Sequence, residues 1–162
     1  MTINHSGPML PENIKLRQSI WIALSELFLD TEITESTQKY IAKTILDSKF
    51  SPTEILEILW CEVFPVLCIN LQEPAGQWAG FREDVLIDQI NEYLKSGNPN
   101  YYEGLLSTES VYKITLNEWA KCCIYLPQSF SDCEQPKVEF KETSKKAINI
   151  FSSLNNFFSR KH

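Results

Sequence analysis

Ser51-Pro52-Thr53-Glu54-Ile55-Leu56-Glu57-Ile58-Leu59-Trp60-Cys61-Glu62-Val63 is the stretch that decides the fold class. A serine able to cap, proline at the first helical position and glutamate three residues after the serine form a capping box. That arrangement satisfies free amides at a helix start. Behind it Ile55, Leu56, Leu59, Trp60 and Val63 recur at helical spacing and define one inward stripe. Pro65 has no amide hydrogen and crowds the preceding turn, so this helix is expected to kink or stop there.

Upstream, a helix is expected over Pro11–Leu29. Its apolar residues Leu16, Ile20, Trp21, Ala23, Leu24, Leu27 and Phe28 wrap much of the circumference. A helix apolar over that width belongs at the centre of a bundle. A second helix fits Glu35–Asp47, with Tyr40, Ile41, Thr44 and Ile45 on one face. Downstream, Val66–Phe81 reads as irregular, and Arg82–Lys95 as a helix with Leu86, Ile87, Ile90, Tyr93 and Leu94 inward. Ser96-Gly97 and Asn98-Pro99 end it. Thr115-Leu116-Asn117-Glu118 reads as a second capping box opening a short helix to Pro127. No segment alternates as a strand does, with a short hairpin within residues 100–115 as the one expected exception.

The expectation is an all-α, single-domain bundle of about five to six helices. Residues 1–126 form an acidic helical domain, 127–142 a loop or linker, and 143–162 a basic amphipathic helix docking on the domain. Ala147, Ile150, Phe151, Leu154 and Phe158 supply the apolar stripe of that last helix.

The 162 residues are 43 % apolar and 22 % charged, the balance of an ordinary globular domain. Five cysteines without a C-x-x-C pair suggest neither a disulfide framework nor a zinc knuckle, and reduced thiols are expected. Met1–Leu10 lacks the pattern of a secretory signal, and no apolar run approaches the roughly 20 residues a membrane helix needs. The expected location is the cytoplasm. Net charge is −6, unevenly spread. Residues 1–136 carry 19 acids against 9 bases, and residues 137–162 carry 2 against 6. Such a body repels nucleic acid and anionic lipid and attracts a basic protein.

Catalytic chemistry is thin. The two histidines, His5 and His162, stand near the two ends of the chain, which removes Ser-His and Cys-His arrangements. Neither a phosphate-cradling G-x-x-x-x-G-K-[ST] loop nor a G-x-G-x-x-G turn occurs. The carboxylate pairs Glu57 with Glu62 and Glu83 with Asp84 fall on expected outer faces, where solvation is the normal fate. No catalytic residue, cofactor or metal is assigned. Trp21, Trp60 and Trp119 lie on inward stripes, whereas Trp78, in Gly76–Phe81, either pins that loop to the core or anchors a partner.

The acids offer the candidate partner-binding residues. Asp84, Asp88 and Glu92 stand at i, i+4 and i+8 on one side of a helix, with no lysine between them. Either this stripe is a solvated face, or it meets a basic surface and speeds encounter. Glu54, Glu57, Glu62 and Glu73 are weaker candidates for the same surface, and Trp78 is the aromatic one.

Three stretches carry a resemblance. They are Arg17-x-x-x-Trp21-x-Ala23-Leu24-Ser25-x-Leu27-Phe28-Leu29-Asp30-Thr31-Glu32, then Leu59-Trp60-x-Glu62-Val63-x-Pro65-Val66-Leu67-x-x-Asn70-Leu71, then Gly76-x-Trp78-Ala79-Gly80-Phe81. Together they resemble a bacterial family of small acidic domains of unknown function. The resemblance implies a helical cytoplasmic protein with no catalytic residues to transfer. In kind, such proteins are similar to the immunity proteins that bacteria encode beside delivered toxins. The leading expectation is a non-enzymatic, monomeric or weakly dimeric protein that occludes a basic toxin domain. The alternative is a structural or regulatory adaptor using loop 74–81 and the terminal helix, self-association included. Neither nucleic acid nor membrane is expected as a partner.

Overall fold

At Ser51 the capping box closes in both directions. The Glu54 amide donates to Ser51 Oγ at 3.3 Å, and Glu54 Oε2 accepts from the Ser51 amide and hydroxyl, each at 2.8 Å. This start and the elements around it come from a computed structural model, which describes residues 11–29, 32–68, 82–96 and 108–135. In order they are α1 (Pro11–Ser25), a 3-10 turn (Glu26–Phe28), α2 (Glu35–Ser48), α3 (Pro52–Ile58), a π segment (Leu59–Val63), α4 (Phe64–Leu67), α5 (Glu83–Ser96), α6 (Thr108–Cys123) and α7 (Gln128–Ser131). Among the described residues there is no strand, and the fold is a single helical domain. None of these helices is long and apolar enough to cross a membrane.

The centre is α1, as its wide apolar wrap predicts. Ile20, Trp21, Ala23, Leu24, Leu27 and Phe28 are all fully buried, and α2, α3, α5 and the π segment pack around them. Thr34 caps α2 by accepting from the Thr37 amide at 3.3 Å. That helix closes at Lys49, which takes the left-handed conformation with φ 61°. An aromatic cluster ties α6 to this centre: Trp60 lies 5.3 Å from Phe64 and 4.8 Å from Tyr112 between ring centroids.

Pro65 does not end its helix. The turn before it widens, with the Phe64 amide reaching the Leu59 carbonyl, and the chain continues helically through Pro65 to Leu67. The π turn accommodates the ring and the missing donor that would stop a regular helix.

Thr115 does not open a helix. It lies inside α6, fully buried, with its hydroxyl donating to the Val111 carbonyl at 2.9 Å. Threonine placed mid-helix turns its hydroxyl back on the preceding turn instead of capping. Residues 108–115 are therefore helical, and the rest of the expected hairpin region lies outside the described residues.

The expected linker is part of the domain over residues 127–135. Phe130 of α7 is buried, and Gln135 Oε1 accepts from Trp60 Nε1 at 2.9 Å. An aromatic side chain and one amide anchor suffice to fix a segment whose composition reads as a loop. The tail 143–162 lies outside the described residues.

Candidate interaction surface

On α5 the buried residues Leu86 and Ile90 set the helix orientation, so Asp84, Asp88 and Glu92 fall on the exposed side. The stripe has a feature the sequence pattern hid. Arg82, just before the helix, grips Asp84 with two bonds, Nη2 to Oδ2 at 2.6 Å and Nε to Oδ1 at 3.2 Å. The Arg82 hydrogen bond holds the Asp84 carboxyl below the usual carboxylate range. Asp84 thus presents a neutralised pair. Among the described residues no cation pairs with Asp88 or Glu92, so the uncompensated charge of the stripe begins one turn later.

The remaining acids are dispersed. Glu54 is spent on the capping box, where the Ser51 amide and hydroxyl hold its carboxyl below the usual range. Glu57 is half-buried near Cys61, whose thiol is pushed up first by burial and then by Glu57 and Glu62. Glu73 and Trp78 lie outside the described residues.

Glu62 is not on any surface. It is 5 % exposed, and its carboxylate takes the Arg17 guanidinium and the Trp21 indole Nε1, the latter at 2.6 Å. The helical register itself places position 62 inward, since Ile55, Ile58 and Leu59, seven, four and three residues before it, are all fully buried. Its charge, and not its spacing, is what marks it as a solvated acid. Arg17, Trp21 and Glu62 all stand in the stretches that carry the family resemblance. Their meeting gives those stretches a structural reason: a charged lock between α1 and the π segment.

The molecule also has a cleft of about 650 Å³ where the 3-10 turn, the start of α2 and α6 meet. Leu27, Leu29, Ile33 and Ile114 supply its apolar lining, and Glu32, Glu35, Glu118 and Lys121 most of its charge. Lys39 on α2 pairs with Glu35 at 2.6 Å and lies 5.6 Å from the Tyr125 ring centroid. That pairing holds the Glu35 carboxyl below its ordinary value. Sequence reading missed the cleft because its walls come from three separate segments. The one local signal is Ile114, an apolar residue on the polar side of its helix.

Among the described residues no group of three or more His, Cys, Asp or Glu side chains is disposed to hold a metal. None of the five cysteines is joined in a disulfide. Burial pushes the Cys122 thiol up to about 12 and the Cys123 thiol to about 11, which leaves both protonated and unreactive at neutral pH.

No curated protein and no solved structure matches the chain. A family model does, over residues 15–124, a span that holds the Arg17–Glu62 lock, the whole of α5 and all of α6. This chain therefore belongs to the family described as "Domain of unknown function (DUF7079)".

Proposed function

We propose that this chain is a non-enzymatic, cytoplasmic binding protein of the immunity type, which neutralises a basic toxin domain by covering it. One observation carries the reading: Asp88 and Glu92 stand exposed one turn apart on α5, with no cation paired to them among the described residues. Like charges at that spacing cost a helix a few tenths of a kcal/mol, a cost that a basic partner would reverse. Charge of this kind raises association rate more than it raises affinity.

The test begins with capture of the partner by the full chain, followed by binding kinetics at two salt concentrations. Asp88→Lys with Glu92→Lys should leave helicity unchanged and slow association. The deficit should shrink as salt rises, because exposed charges are screened over about 8–10 Å at physiological ionic strength. Association at the wild-type rate in low salt would reduce the stripe to a solvated face. Loss of binding on Trp78→Ala, with little salt dependence, would point instead to an adaptor that docks through its aromatic loop.

A further inference from the structure

The cleft beside α6 plays no part in the acidic-face reading, and its make-up asks for an occupant. Ile114 is 50 % exposed on its wall, next to Leu29 and Ile33. Its carboxylates outnumber its cations. Lys121 is engaged by Glu118 at 2.7 Å and Lys39 by Glu35, while no cation among the described residues pairs with Glu32. An apolar lining under an acidic rim fits an amphipathic segment with basic flanks.

The chain carries one such segment, and it starts within reach. The last described residue, Gln135, is tied to Trp60, whose ring lies 4.8 Å from that of Tyr112 on α6. The chain therefore leaves the described domain at α6, which forms one wall of the cleft, but beside Tyr112, about half a turn around that helix from Ile114 and Lys121. Residues 136–142 can span at most about 25 Å, enough for about 14 Å along α6 and a path round the exposed side of a helix about 10–12 Å across. Phe151, Leu154 and Phe158 recur at helical spacing in the tail sequence and form its apolar stripe. Lys145, Lys146, Arg160 and Lys161 flank that stripe and match the rim in charge.

We propose that residues 143–162 dock in this cleft, seating Phe151, Leu154 and Phe158 against Leu29, Ile33 and Ile114, with their basic flanks on the Glu32 and Glu118 rim. This contact is independent of the acidic face of α5.

Zero-length carbodiimide coupling of the full chain, half of it labelled with 15N, tests the proposal by mass spectrometry. The Lys121–Glu118 and Lys39–Glu35 pairs serve as built-in controls for the reaction. Links within one chain from Lys145, Lys146 or Lys161 to Glu32, Glu35 or Glu118 are expected. Ile114→Asp should remove most of their yield while leaving helicity and the control links intact, since Ile114 is outside the core. Tail links absent while the controls react, tail links confined to Asp88 and Glu92, or an unchanged yield in Ile114→Asp would each overturn it. So would tail links found solely between labelled and unlabelled chains, which would seat the tail on a second copy.

Discussion

Arg17 Nε sits 3.0 Å from both carboxylate oxygens of Glu62, bringing together residues 45 positions apart and joining the first half of α1 to the π segment. The pair is largely withdrawn from water, with 15 % of the Arg17 side chain and 6 % of the Glu62 side chain exposed. Each partner is therefore costly to leave alone. Glu62→Ala should lose about 3–5 kcal/mol in urea unfolding. An apolar double replacement, Arg17→Met with Glu62→Leu, should recover much of that loss because it strands no charge. A double variant as unstable as Glu62→Ala would show that the lock contributes more than the removal of its stranded partner.

Two buried tryptophans should respond differently to loss of the indole nitrogen. Trp21 donates to Glu62, whereas Trp119 is buried with its Nε1 unpartnered among the described residues. Trp21→Phe removes a hydrogen bond to a charged group, worth about 1.5–3 kcal/mol. Trp119→Phe removes a donor that has already lost its water, so its cost should be the smaller of the two. Equal losses in denaturant melts would contradict the assignment.

Lys49 offers a stabilising substitution. It holds φ 61° at the end of α2, where a side chain costs roughly 1 kcal/mol and glycine does not. Lys49→Gly should raise stability by about 0.5–1 kcal/mol even though the unfolded chain gains freedom. A lower melting temperature would mean that the Lys49 side chain makes a contribution of its own.

The capping box predicts a pH signature. Hydrogen bonds from Ser51 hold Glu54 below the ordinary glutamate range, so the folded chain binds that proton more weakly than the unfolded chain does. The resulting stability is complete above the ordinary glutamate value and fades as the pH falls through the lowered folded value. Wild type should therefore exceed Glu54→Gln in stability at neutral pH, and the gap should close in acid. A gap that persists unchanged at low pH would remove the carboxylate from the cap. Ser51→Ala should cost about 1 kcal/mol through the lost N-cap.

Thiol labelling at pH 8 should divide the cysteines. Cys122 and Cys123, pushed up to about 12 and about 11 by burial, should react slowly in the folded chain and fully in urea. Equally fast labelling in both conditions would show that the end of α6 opens readily.

Much of this architecture is legible wherever local chemistry decides the outcome. The Ser51 box, the broad apolar wrap of α1 and the inward face of α5 are satisfied by their own neighbours, so pattern and structure agree. Agreement fails where a distant partner decides. Thr115-Leu116-Asn117-Glu118 has the letters of a cap, yet a cap forms only where the amides ahead of it are free, and α6 has already begun at Thr108. Glu62 has the letters of a solvated acid, but Arg17 and Trp21 wait for it on another helix. Asp84 belongs to the stripe by spacing and leaves it through Arg82, a residue outside the helix. The cleft beside α6 has no local signature, because no single segment contains it.

The π segment gives this region of the chain some freedom in its residue count. Its wide turn holds one residue more than an α turn, closed where the Phe64 amide reaches the Leu59 carbonyl. Deleting one residue between the two would shorten it to an ordinary α turn closing on the same carbonyl, so Phe64 and Leu67 would keep their angle to the core. The side chains between them would change bearing, Glu62 and its hold on Arg17 among them. The same deletion inside α5 would swing everything after it by about 100°.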